Sequence, residues 1–312
     1  MPPAEPTLAA LPNPVLRYFA ATRPAFLSVT FVACILGLAC ASGSGVSLHP
    51  ASATLTLFFA LVAHAGANVL NDYYDSRSGC DAANTDRVFP FTGGSRFIQN
   101  GIISERAAGA FGYALLAAVV PAGLWLTWHS APGLILVGLL GLLVGWAYSA
   151  PPLKLQSRGM GEFAITAAWL LIVVGSDFVQ RRAFSFAPLA AGLGYALLVA
   201  NVLYINQFPD IRADAQVGKR TMVVRLGAAR ARWGYGAITL LCYGWIVAMA
   251  ALGHLPAAAL ACLLAAPASL LALRHLWAHA DEPRALAPAI QLTIVAASLH
   301  GLLLSVALFL AN

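Results

Sequence analysis

Nine apolar stretches, each about as long as a bilayer is thick, leave this chain of 312 residues little choice of architecture. A hydrocarbon core about 30 Å thick takes roughly 20 apolar residues of helix. Stretches of that order run over residues 24–42, 51–72, 104–126, 131–149, 162–179, 185–207, 231–253, 255–276 and 287–310. Backbone groups in lipid must bond within their own helix or within a closed barrel, and these runs are continuous rather than alternating, so helices are expected. Hydrophobic residues make up 60% of the chain and charged residues 10%, which excludes a soluble globular domain. The expected fold is an all-α membrane protein of nine transmembrane helices. Residues 1–14, rich in Pro and Ala, are expected to be a disordered tail, and residues 15–312 a single domain.

Basic residues orient the expected bundle. Of the 18 Lys and Arg, only Arg181 and Arg182 fall on the side opposite the N-terminus. The positive-inside rule then places the N-terminus and the other basic residues in the cytoplasm, as in a multi-pass protein of a bacterial-type inner membrane. The net charge of +6 gathers on that face, where it suits an anionic ligand or anionic lipid headgroups. Nothing in the chain resembles a nucleic-acid module, and no obligatory protein partner is implied. The five cysteines show no metal-ligand spacing. Four lie in expected helices, and Cys80 lies in a cytoplasmic loop between Asp75 and Asp81.

Acidic residues gather on the same face in two runs. Asn71-Asp72-Tyr73-Tyr74-Asp75, continuing to Asp81, ends the second stretch, and Asn206 through Asp210 to Asp214 ends the sixth. Each is expected where a helix gives way to a loop, with Pro209 kinking or ending the second of them. Setting Asn71 on Asn206 also sets Asp75 on Asp210 and Arg77 on Arg212, a sign of duplication that would bring two helix ends together across one cavity. His64, Asn68, Asn71, Asp72 and Asp75 fall on one helical face, and such a polar stripe should look into the bundle. On that stripe His64 reads first as a hydrogen-bonded interior histidine.

Clustered carboxylates at a membrane surface are costly to hold unless a cation and an anionic ligand neutralise them. Asp and Asn oxygens are hard ligands suited to Mg²⁺, which binds one or two carboxylates together with phosphates and waters. Asn71, Asp72, Asp75, Asp81, Asn206, Asp210 and Asp214 are therefore the candidate metal ligands. Asn68, Arg77, Arg87, Arg96, Arg212, Lys219 and Arg220 are candidates to bind the remaining oxygens of a diphosphate and to stabilise departing pyrophosphate. Arg225, Arg230 and Arg232 fit the plain topological pattern instead.

Further segments share a pattern with these runs: Phe91-Thr92-Gly93-Gly94-Ser95-Arg96, Tyr148 to Leu155, Arg158 to Glu162, and Asn206 to Asp214 followed by Gly218-Lys219-Arg220-Thr221. Together they closely resemble the UbiA superfamily of intramembrane aromatic prenyltransferases, over nearly the whole chain. Gly79-Cys80-Asp81 and Gly93-Gly94 look most like the 1,4-dihydroxy-2-naphthoate polyprenyltransferases of menaquinone synthesis. Gln207 departs from the pattern, since relatives often carry Asn or Asp there.

The resemblance implies a Mg²⁺-dependent enzyme that joins a polyprenyl diphosphate to a small aromatic acceptor, with membrane lipid around it. Asp72, Asp75, Asp210 and Asp214 would be catalytic, Tyr148 would present its ring to a prenyl cation, and Lys154 and Arg23 would bind the acceptor carboxylate or the diphosphate. Other acceptors, 4-hydroxybenzoate or homogentisate, are the alternatives within the enzyme class. A secondary transporter is the alternative outside it, yet its carboxylates belong near the midplane, and no Asp, Glu, Lys or Arg falls near the middle of an expected span.

Overall fold

The structure, a computed structural model, describes residues 4–311. The chain opens with α1 (Pro14–Ala21), whose first turn is capped by the Asn13 side chain accepting from the Val15 amide, and continues through a 3₁₀ turn, Pro24–Leu27, into α2 (Ser28–Ser42). There follow α3 (Pro50–Ser78), a short α4 (Cys80–Ala83), α5 (Glu105–His129), α6 (Leu134–Ser149) and α7 (Gly161–Arg181). The second half holds α8 (Ala187–Gln216), a short α9 (Met222–Leu226), α10 (Ala228–Ala251), α11 (Ala266–His279) entered through a 3₁₀ segment, Ala257–Ala265, and α12 (Ala287–Phe309). No strand occurs among the described residues.

Each expected apolar stretch has a helical counterpart. Eight are long and apolar enough to cross a membrane. The remaining one, α6, has 16 residues, or about 24 Å of helix, shorter than the stretch expected over 131–149. The chain is thus an all-helical, multi-pass membrane protein. Of the tail expected over residues 1–14, Met1–Pro3 lie outside the described residues; Glu5 reaches the loop after α4, pairing with Arg87 at 2.5 Å and Arg96 at 3.6 Å.

Two expectations about helix ends are corrected. The acidic runs do not fall in loops, because α3 continues to Ser78 and α8 to Gln216. Pro209 does not end α8 but sits inside it. Proline forfeits only one ladder hydrogen bond, and in a helix buried among neighbours packing supplies the stability that the lost bond withdraws. α8 is the most enclosed span, with 78% of its most apolar window buried against 22% for α3 and α5. It packs on α7, α10, α12 and α2.

Close approach of backbones holds this centre together. A Cβ on Gly37 in α2 would meet Ser176 of α7 at 2.6 Å, so only glycine permits the α2–α7 contact. Tyr195 of α8 is fully buried and donates its hydroxyl to the Val29 carbonyl at 2.6 Å. Val32, Leu36, Val173, Ile246 and Leu304 complete an apolar core from α2, α7, α8, α10 and α12. Outward-facing residues such as Trp128 and Leu240 are 87% and 74% exposed, as expected of a lipid-facing surface. With α8 fixed at the centre and α3 packed on α5 and α6, the two acidic helix ends are held at one end of the bundle.

Candidate active site

A cavity of about 850 Å³ runs from this charged end into the apolar interior. Its deep walls are Phe26, Val29, Phe59, Leu142, Trp169 and Ile172, and its mouth carries Asn71, Asp75, Asp81, Asn206, Asp210, Asp214 and Lys219. The two acidic runs meet on one cation: Lys219 Nζ lies 3.0 Å from Asp75 Oδ2 and 3.5 Å from Asp214 Oδ1. Gly218 makes this possible, since its φ of +74° turns the chain so that the Lys219 amide donates to the Asp214 carbonyl at 2.8 Å.

Gly79 plays the matching part after α3. Its left-handed conformation, φ +80°, ends that helix and starts α4 at Cys80. Asp81 is thereby turned into the site, 4% exposed, and its side chain accepts from Gln99 Nε2 at 3.3 Å while Arg96 Nη1 donates to its backbone carbonyl at 2.5 Å. Opposite stands Gly94, φ +76°, where a Cβ would come within 2.8 Å of Asp81 Cγ. The Gly93-Gly94 turn therefore serves close approach to the acid.

Amide side chains organise the carboxylates. Asn71 Nδ2 donates to Asp75 Oδ2 at 3.1 Å and to Ser149 Oγ at 3.2 Å, and Gln156 Nε2 donates to Asp75 Oδ1 at 3.0 Å. Asn84 Nδ2 donates to Asp210 Oδ1 at 2.6 Å, and the Cys80 thiol donates to Asp214 Oδ1 at 2.9 Å. Asp72 faces away from this group; it pairs with Arg23 and accepts from the Ser95 amide at 3.2 Å. Arg23 and Arg96 hold left-handed backbone conformations, φ +56° and +67°, which cost non-glycine residues free energy and are kept where surrounding contacts demand them.

Negative charge is in excess here. Asp81 and Asp210 have no ion-pair partner among the described residues, while Asp72 takes Arg23 and Asp75 shares Lys219 with Asp214. Burial first, then the charges of Asp75 and Asp72, hold the Asp81 carboxyl well above the usual carboxylate range against the opposing pull of Arg23 and Lys219. Burial works against the Lys219 ammonium, but Asp75 and Asp214 outweigh it and raise its pKa well above the ordinary lysine value.

Such a site fits a hard divalent cation. Asn206 Oδ1 is buried at the cavity wall with no donor, and hard oxygens from both runs face the same space. Among the described residues no three His, Cys, Asp or Glu side chains converge closely enough to hold an ion unaided. Mg²⁺ does not require them to, because it keeps waters and takes substrate phosphates beside one or two carboxylates.

Of the residues singled out in the sequence, Arg23, Asn68, Asn71, Asp75, Asp81, Tyr148, Asn206, Asp210, Asp214 and Lys219 line the cavity together. Asp72 and Arg96 stand behind the wall in the contacts just described. Arg77 lies over the Tyr73 ring and bonds its hydroxyl at 3.0 Å; Arg212 is 73% exposed and pairs with Asp86; Lys154 is exposed. Gln207 turns from the acids to bind Glu162 Oε1 at 2.5 Å and to accept from the Val223 amide at 3.3 Å, so it joins α7, α8 and α9. As site residues, Asn84, Ser149 and Gln156 escaped the reading of the sequence, in which Ser149 stood only as part of the Tyr148 to Leu155 segment. Each lies outside the acidic runs, and only the fold brings it to them.

Comparison with known proteins places the chain in a family. Residues 29–309 match the UbiA prenyltransferase family. The chain is 30% identical to the 1,4-dihydroxy-2-naphthoate octaprenyltransferase of Escherichia coli (strain K12), covering 93% of this chain and 94% of that one. It is 25% identical to the protein of the same description from Bacillus subtilis (strain 168), over 93% and 91% of the two chains. Among solved structures, a UbiA homolog from Archaeoglobus fulgidus bound to DMAPP and Mg²⁺ superposes with a TM-score of 0.61 at 19% identity, over 93% of this chain and 99% of that one. With the acidic runs converging on one cavity and the match spanning nearly every helix, this membrane protein belongs to the UbiA prenyltransferase family.

Proposed function

We propose that this prenyltransferase moves a polyprenyl group from its diphosphate to 1,4-dihydroxy-2-naphthoate, with Mg²⁺ at the cavity mouth and the mouth facing the cytoplasm. The observation that carries the reading is the single ammonium of Lys219 shared by Asp75 and Asp214 at the charged end of an otherwise apolar chamber. The relatives named for naphthoate prenylation support the choice of acceptor.

Asp75, Asp81, Asp210, Asp214 and Asn206 would hold the metal, with Asn71 orienting Asp75. When bound, Mg²⁺ supplies positive charge that stabilises the pyrophosphate leaving group. Lys219 and Arg23 bind phosphate oxygens and hold the allylic carbon below the mouth. Tyr148, on the cavity wall, offers its ring face to the carbon as it gains positive charge. Phe59, Leu142, Trp169 and Ile172 receive the prenyl chain and keep water from the cation, and the electron-rich acceptor ring attacks that carbon with loss of its carboxyl group.

The test incubates purified protein with Mg²⁺, a labelled prenyl diphosphate and a panel of 1,4-dihydroxy-2-naphthoate, 4-hydroxybenzoate and homogentisate, and identifies products by mass. A prenylated, decarboxylated naphthoate product is expected. Prenylation of either benzene-ring acid in its place overturns the acceptor, and no prenylation of any acid overturns the reading as a whole.

A further inference from the structure

Asn84 lies outside both acidic runs, yet it joins them. It ends α4, the helix that carries Asp81, and its side-chain amide donates to Asp210 Oδ1 at 2.6 Å across 126 residues of sequence. A carboxylate accepts and cannot donate, so this contact fixes which end of the amide faces Asp210. The orientation leaves Asn84 Oδ1 without a donor, although the residue is only 2% exposed and lines the cavity. A buried acceptor left unmet is destabilising, and a loop residue with no role beyond packing would avoid it.

The backbone beneath Asn84 is fastened as well. Arg87 Nη1 donates to the Asn84 carbonyl at 2.6 Å, and Arg87 is itself held by Glu5 at 2.5 Å. A Cβ on Gly93 would meet the Arg87 side chain at 2.7 Å, so the glycine turn packs directly on that arginine. Asn84 thus stands on a braced loop with one polar atom spent on Asp210 and the other unspent. Asp210 has no ion-pair partner, so this amide and its surroundings set how the carboxylate points.

We infer that Asn84 is a positioning residue: it aims the Asp210 carboxylate across the mouth of the cavity toward the metal-diphosphate load, and its unmet Oδ1 accepts a hydrogen bond from a water that the cation retains. The inference rests on the reading that the two acidic runs together hold a divalent cation and a diphosphate. Partners that orient a metal-ligating group in this way typically account for about 10- to 100-fold in metal affinity.

The test titrates purified, detergent-solubilised protein with Mn²⁺ by electron paramagnetic resonance, alone and with inorganic pyrophosphate, and needs no turnover. Asn84→Ala should weaken Mn²⁺ binding about 10- to 100-fold, and should raise the Mg²⁺ concentration giving half-maximal rate while leaving the KM of the aromatic acid in place. Asn84→Ser keeps the loop backbone and a small polar side chain but cannot span to Asp210, so it should show the same loss if the alanine variant does not fold. Wild-type affinity in either folded variant overturns the inference. Failure of the wild-type protein to bind Mn²⁺ even with pyrophosphate overturns the underlying reading and this inference with it.

Discussion

The Lys219 ammonium lies 3.0 Å from Asp75 Oδ2, tying the chain just past α8 to the helix that carries the first acidic run. A lysine so placed offsets one of the two carboxylate charges and remains charged, because Asp75 and Asp214 raise its pKa in spite of burial. Lys219→Met keeps the volume and removes the charge. Breaking a buried pair from one side costs about 3–5 kcal/mol, so a marked fall in thermal unfolding temperature is expected in the absence of Mg²⁺. In activity assays the KM for prenyl diphosphate should rise. A melting temperature and KM equal to wild type would show that the shared cation is idle.

Asp75→Asn, Asp210→Asn and Asp214→Asn should each lower kcat by about 10²–10³-fold, the usual loss when one electrostatic contributor to a transition state is removed. Asp72→Asn works by another route, by releasing Arg23 from its ion pair. It should also lower kcat, yet leave Mn²⁺ affinity closer to wild type than the other three variants do. Single-turnover kinetics beside metal titration separates the two classes.

Asp81 gives a pH dependence whose sign follows from its burial and its neighbours. A carboxyl with a pKa higher in the folded than in the unfolded chain stabilises the fold fully below the unfolded value. That contribution is lost as pH rises through the folded value. Metal-free protein should therefore lose stability from the ordinary carboxylate range upward. Mg²⁺ binds the deprotonated form, so the rise in unfolding temperature that it causes should grow over the same window. Asp81→Asn should flatten both trends in a series of thermal melts.

Gly94→Ala places a methyl group against Asp81 and demands a left-handed residue at φ +76°. The backbone alone costs about 1–2 kcal/mol, and the displaced carboxylate should carry away metal affinity as well. Gly101→Ala is the control, since its φ of +68° is similarly strained but a Cβ there meets nothing within 4 Å. A stability loss in both variants, larger for Gly94→Ala, with loss of Mn²⁺ binding confined to Gly94→Ala is the expected outcome.

Tyr148 separates ring from hydroxyl. Among the described residues its hydroxyl has no hydrogen-bond partner, and the residue lines the cavity. Tyr148→Phe should change kcat little. Tyr148→Leu forfeits the aromatic face, worth about 0.5–2 kcal/mol toward a nearby cation, and should lower kcat with the KM of the diphosphate nearly unchanged.

Much of this was legible before any coordinates. Length and hydropathy locate the helices because a bilayer imposes one length on all of them, and Asp75, Asp210 and Asp214 stand out because acids at membrane helix ends need a reason. The errors share a cause. α3 and α8 carry on past their apolar stretches, and on a continuous helix a residue two positions on points to a different face. Arg77 and Arg212, each two residues beyond an aspartate, accordingly look outward to Tyr73 and Asp86. Asn84 and Gln156 could not be read at all, and Ser149 only as part of the Tyr148 to Leu155 segment, because their roles lie in contacts that span 126, 85 and 78 residues of chain.

Because Asp75, Asp210 and Asp214 ride on uninterrupted helices, the proposed function would set the diphosphate head and the prenyl tail along successive stretches of α3 and α8. Phe59 of α3 and Val199 of α8 line the cavity farther along those rods than the acids. Tail preference can therefore be re-engineered by bulk at such depths, much as one trims a sheath without touching the hilt, while the ionic chemistry above stays as it is.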